Sequence, residues 1–143
     1  FKFFKSDSHE IKVDDDFNPV EMAASVLLIE MARADFEQDD LENEMIIELL
    51  KEYFLLDHED VHDLFLEAEK IADNSVSLHE FTRTLHETLN DEAKNEIIEM
   101  LWRLALVDDS LDRYEDYLVR KIADLLYVSN SSVLRIKHDL INN

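Results

Sequence analysis

Across its 143 residues this chain has no glycine and a single proline, Pro19. Those two residues supply the positive-φ turns and backbone breaks on which hairpins, sandwiches and tight crossovers depend. A chain almost without them is built from long segments joined by short polar connections, the pattern of helices. The same absence removes glycine-rich phosphate loops, whose backbone must approach a ligand with no Cβ in the way. The expectation is therefore an all-α fold, against an all-β or Rossmann-type one.

Hydrophobic periodicity divides the chain into about seven helices. Residues 1–17 read as an irregular leader and residues 18–143 as one helical domain. The leader opens on FKFFK, which is apolar and basic and far too short for a signal peptide. It reads either as the trimmed end of a longer amino terminus or as a few residues packing on the body. Asn18 can cap the first helix, with Pro19 at its first position and Glu21 where a capping box places it. Val20, Ala23, Ala24, Leu27, Leu28 and Met31 then recur at helical spacing, to an end near Ala34. Further starts fall after Asp39, Asp57, Ser77, Asn90 or Asp91, Asp112 and Ser129. Trp102, Tyr53, Phe54, Phe65 and Phe81 sit at core spacing.

The chain also repeats itself. At an offset of 73 positions, Leu28 falls on Leu101, Ala32 on Ala105, Asp35 on Asp108, Asp39 on Asp112 and Glu42 on Glu115. With a one-residue slip, Asp57 falls on Ser129 and Val61 on Val133. Each unit reads as helix, acidic loop, helix, cap, helix. A compact bundle of two such units related by a pseudo-twofold is expected.

Hydrophobic residues are 46% and charged residues 34%, which fits neither a disordered tail nor a membrane protein. The net charge of −21, from 35 acidic and 14 basic residues, repels phosphate backbones and anionic membranes. It favours cations and basic protein partners. Without cysteine there is no disulfide, thiolate zinc site or cysteine nucleophile. No apolar run reaches the ~18 residues of a membrane span.

The element common to both units is Asp, three residues, Asp, two residues, Glu: Asp35, Asp39 and Glu42, then Asp108, Asp112 and Glu115. Carboxylates converging from a turn suit a hard cation, so Ca²⁺ or Mg²⁺ is favoured over Zn²⁺. The pattern is not an EF-hand, which needs a longer loop with a glycine at its bend. Asp39 with Glu42, and Asp112 with Glu115, also have a plain explanation as capping boxes. Asp35 and Asp108 do not.

The segments LLIEMARADFEQDDLE and LWRLALVDDSLDRYE resemble the paired signature of the tellurite-resistance TerB-like family. The resemblance continues through LLDHEDVHDLFLEAE, HEFTRTL and VRKIADLLYVS. It implies an all-helical, acidic, bacterial domain, cytoplasmic or at the inner face of the membrane. It also implies divalent-cation binding, a link to tellurite and stress resistance, and no enzymatic activity. The family's acidic site falls on Asp35 and Glu42, and on Asp108 and Glu115. Phe36 and Asp109 stand where the family pattern has glycine, which makes the second loop the better candidate. An acidic protein-interaction module without metal is the alternative.

Other motifs are weaker. His58-Glu59-Asp60-Val61-His62 has zincin spacing, but it lies in the first turn of a short helix and lacks a third ligand downstream. Glu59 and His62 form one Glu-x-x-His pair, where a di-iron bundle needs two. His9, His79, His86 and His138 read as surface or helix-boundary residues. Ser129, Ser131 and Ser132 read as a helix start.

Overall fold

The computed structural model of this chain describes residues 17–34, 39–74, 77–107 and 113–142. Seven helices run through them: α1 Pro19–Ala32, α2 Asp40–Phe54, α3 His58–Asp73, α4 Leu78–Thr88, α5 Asp91–Ala105, α6 Arg113–Leu125 and α7 Asn130–Ile141. There is no strand among the described residues, and the expected all-α fold is observed.

The helices begin where local chemistry provides an acceptor for orphan amides. The Asn18 side chain accepts from the N–H groups of Val20 and Glu21 at 2.9 and 3.0 Å. Asp57 accepts from Asp60 at 2.8 Å, Ser77 from His79 at 3.2 Å, Asn90 from Ala93 at 2.8 Å and Ser129 from Ser132 at 3.2 Å. Asp39 accepts from Glu42 at 2.9 Å, and the last expected start, Asp112, lies outside the described residues. Pro19 occupies the first position of α1, where its missing N–H costs nothing. That helix ends at Ala32, two residues before the expected Ala34, and Arg33 closes it by donating to the Ile29 carbonyl at 3.0 Å.

α1 is the centre of the bundle. Apolar residues surround its axis rather than forming one stripe, and Val26, Leu27, Ile29, Met31 and Ala32 are all fully buried. A helix that is apolar all round must be covered on every side. α2, α3, α4, α5 and α6 all pack against it. α7 packs instead on α5 and α6. Trp102 of α5 is fully buried there and donates its indole N–H to the Val133 carbonyl at 3.1 Å. Tyr53, Phe54, Phe65 and Phe81 are buried as the sequence implies.

Several backbone bonds fall at matching positions of the sequence repeat. Arg33 donates to Ile29 and Ala34 to Met31; in the second unit Leu106 donates to Trp102 and Val107 to Leu104. The second helix of each unit closes with the same long-span bond, Leu56 to Lys51 at 3.3 Å and Val128 to Ala123 at 2.9 Å. The neighbours also correspond. α1, α2 and α3 contact one another pairwise, and so do α5, α6 and α7. α1 meets α6 just as α5 meets α2.

Those long-span closures put Leu55 at φ 55° and Tyr127 at φ 61°, equivalent positions after α2 and α6. This is the left-handed helix end that glycine usually fills. In a chain without glycine, leucine and tyrosine fill it, at about 1–2 kcal/mol of Cβ strain each. Leu55→Gly should therefore stabilise the domain by roughly 0.5–1 kcal/mol, the freer unfolded glycine offsetting part of the gain. A thermal melt of a domain this size should rise by about 2–5 °C. Tyr127→Gly should gain less, because it also removes a ring packed against His86. An unchanged or lower midpoint for Leu55→Gly would show that the turn carries no strain.

Candidate functional site

Two of the six expected acidic ligands stand out by burial. Glu42 and Glu115 occupy the same repeat position, in the first turns of α2 and α6, and both are 4% exposed. A carboxylate removed from water must be hydrogen-bonded or paired. Glu42 is held in part by the capping box: its Oε1 accepts the Asp39 N–H at 3.3 Å, and Asp39 accepts the Glu42 N–H at 2.9 Å. Asp39 itself is exposed. Asp35, Asp108 and Asp112 lie outside the described residues, as do Phe36 and Asp109. The structure thus brings together Asp39 and Glu42 and assigns them the capping geometry read as the plain alternative.

Among the described residues, no group of three or more His, Cys, Asp or Glu side chains is arranged to hold a metal ion. None of their buried side-chain nitrogens or oxygens lacks a hydrogen-bond partner. A cation in either loop would therefore draw on the aspartates outside the described segments together with Glu42 or Glu115. That donor set is all oxygen, which fits a hard cation and not zinc.

The zincin-like segment is placed plainly. His58, Glu59 and His62 are exposed on the first turn of α3, with the two imidazoles stacked at 5.9 Å, while Val61 is buried beneath them. Ser129 caps α7, as the sequence implies.

One polar contact was not expected. Lys94 is 6% exposed, and its ammonium lies 2.7 Å from His86 Nδ1, tying α5 to α4. In this contact the ammonium is the donor and the imidazole nitrogen the acceptor. His86 also packs its ring against Tyr127 at 4.5 Å. The available signal was that Lys94 falls on the apolar helical row of Ile97, Ile98 and Leu101.

Charge shapes the remaining surface. Arg103 of α5 bridges to α2, donating to Glu52 at 3.0 Å and to the Tyr53 hydroxyl at 3.1 Å. Burial pushes the Tyr53 hydroxyl above its ordinary range. Burial also raises the Glu30 carboxyl of α1, with Arg33 opposing. Glu96 of α5 is raised in the same way, with Glu99 and Glu92 adding repulsion. Glu92, Glu96 and Glu99 line one side of a groove of about 270 Å³, and Ile136, Asp139 and Leu140 of α7 line the other.

The fold defines a class: an acidic all-α domain with a buried glutamate in the first turn of α2 and another in the first turn of α6. The family model described as tellurite resistance protein TerB matches residues 21–138, and the chain belongs to that family. No curated protein and no solved structure matches it.

Two measurements follow from this geometry. Asp39→Ala removes the acceptor for the Glu42 amide and should cost about 1 kcal/mol in chemical denaturation; no loss would mean the box contributes nothing. Glu30 has a pKa raised on folding, so between its ordinary and its raised value the folded state binds more protons than the unfolded one. Stability from this group is therefore lost as pH rises through that window. Glu30→Gln should be more stable than the parent at pH 7, and the difference should vanish below the ordinary glutamate range. A gain independent of pH would contradict this assignment.

Proposed function

We propose that this chain is a non-enzymatic TerB-family domain that binds a divalent cation, Ca²⁺ or Mg²⁺, through its duplicated acidic loops. The observation that carries the reading is the repeated burial of Glu42 and Glu115. The caps Asp57, Ser77 and Asn90 are exposed, whereas Asn18 and Glu21 at the start of the central helix α1 are buried with that helix. A glutamate withdrawn from water in both copies fits a ligand held ready on the floor of a loop. In this reading Asp35, Asp39 and Glu42 form one half-site and Asp108, Asp112 and Glu115 the other, related by a pseudo-twofold between the units. The net charge of −21 adds a general reason for cations to be held.

The cellular role proposed is the family's, tellurite and stress resistance in a bacterial cytoplasm or at the inner face of its membrane. No helix among the described residues is long and apolar enough to cross a membrane. The domain then serves as an accessory module, whose bound cation sets the shape of the loops that a basic partner meets. The second reading, an acidic interaction module without metal, is favoured by one observation: the Asp39–Glu42 capping box is already complete without an ion.

Thermal melts in EDTA, Ca²⁺, Mg²⁺ and Mn²⁺ separate the two. Because any cation screens so acidic a chain, each melt is compared with NaCl at matched ionic strength. A site filled at one hundred times its Kd stabilises by about 2.7 kcal/mol. The midpoint should rise by several degrees beyond the salt control, and Asp108→Asn with Glu115→Gln should abolish most of the rise. No excess shift at millimolar cation would sink the metal reading and leave the interaction module.

A further inference from the structure

Two histidines at the start of α3 take no part in the caps, the core or the acidic loops. His58 and His62 stand four residues apart, so they lie one above the other on a single face of the helix. Both are exposed, and their rings already stack at 5.9 Å between centroids with 28° between planes. Two imidazoles on one tetrahedral ion, each bound at about 2.0–2.1 Å, place their ring centroids roughly 5 Å apart. Small side-chain rotations close the difference.

The helix holds the pair still. Val61, Leu64 and Phe65 of the same turns are buried in the core, and Asp57 caps α3 by accepting the Asp60 N–H at 2.8 Å. With the backbone fixed, binding an ion orders little beyond two side chains. Glu59 and Asp63, both exposed, follow the two histidines by one position and form a parallel acidic row. Their charge offsets the positive end of the helix dipole, which would otherwise oppose a cation here.

We propose that His58 and His62 form a two-imidazole site for a transition-metal dication of the Zn²⁺, Ni²⁺ or Cu²⁺ class. Imidazole nitrogen suits these ions and not Ca²⁺ or Mg²⁺, so the site is chemically distinct from the all-oxygen loops. Among the described residues no third His, Cys, Asp or Glu joins the pair. The ion therefore keeps its other positions open to water. A structural zinc site is closed by four protein ligands and a catalytic one is held by three, so an open pair suits reversible capture at the surface.

The test is a titration of Ni²⁺ into the full chain, followed by NMR in excess Mg²⁺, which screens the carboxylates. The imidazole signals of His58 and His62 and the amide signals of residues 57–66 should broaden first. His58→Ala and His62→Ala should each lose most of that broadening, and His79→Ala, at another exposed histidine, should keep it. His62→Ala with Asp63→His restores the histidine count but breaks the spacing, and should lose it too. Circular dichroism checks that the variants stay folded. Asp108→Asn with Glu115→Gln should leave the response unchanged, so this site and the loop site fail or succeed separately. Broadening that survives in either single alanine variant, or that centres on the acidic loops, would overturn the proposal. So would unchanged signals at residues 57–66 with Ni²⁺ in excess.

Discussion

The burial of α1 on every side is the constraint on which the rest of this structure depends. A helix with Val, Ala, Leu, Ile and Met around most of its circumference, broken by Glu21, Ser25 and Glu30, must be covered on nearly every side. Five helices close around it, and the second unit supplies two of them, α5 and α6. α1 packs on α6 and α5 on α2, so neither the first three helices nor the last three have a complete interior of their own. The acidic residues are left with the periphery, where they cap helices or collect in loops and grooves.

Three buried glutamates are exceptions to the layering: Glu21 lies in the central helix itself, and Glu42 and Glu115 lie on outer helices. Glu42 and Glu115 sit where an outer helix begins its run along the core, so the first turn carries them inward. The cost of that burial is met by hydrogen bonds, and at Glu42 part of it is met by the amide of Asp39. The same arrangement suits a carboxylate that caps a helix and a carboxylate that lends an oxygen to an ion. This is why capping and metal binding are hard to separate from residue types, and why the response to cations decides between them.

What the sequence made legible was local. Asn18, Asp57, Ser77, Asn90 and Ser129 are caps because a short polar side chain reaches an amide two or three residues on, whatever the rest of the chain does. The offset of 73 positions was legible for the same reason, since the bonds ending α1 and α5 follow equivalent residues. Leu55 and Tyr127 were not legible, because a left-handed residue is usually announced by glycine and none exists here. The Lys94–His86 pair joins different helices, and its partner could not be named before the helices were packed. The burial of Glu42 and Glu115 was missed on similar grounds: the capping box fixed their hydrogen bonds, but only the docking of α2 and α6 fixed their depth.

The central position of α1 has a further consequence in time. As the chain is made, α1 emerges before the helices that cover it, and α5 and α6 come only after residue 90. Until then the most apolar helix of the protein has covers for only part of its circumference. The nascent chain passes through a stage in which its future centre is its stickiest surface, and the dense negative charge of the surrounding segments keeps neighbouring chains apart during that wait. An acidity that costs the finished fold some stability thus protects its assembly.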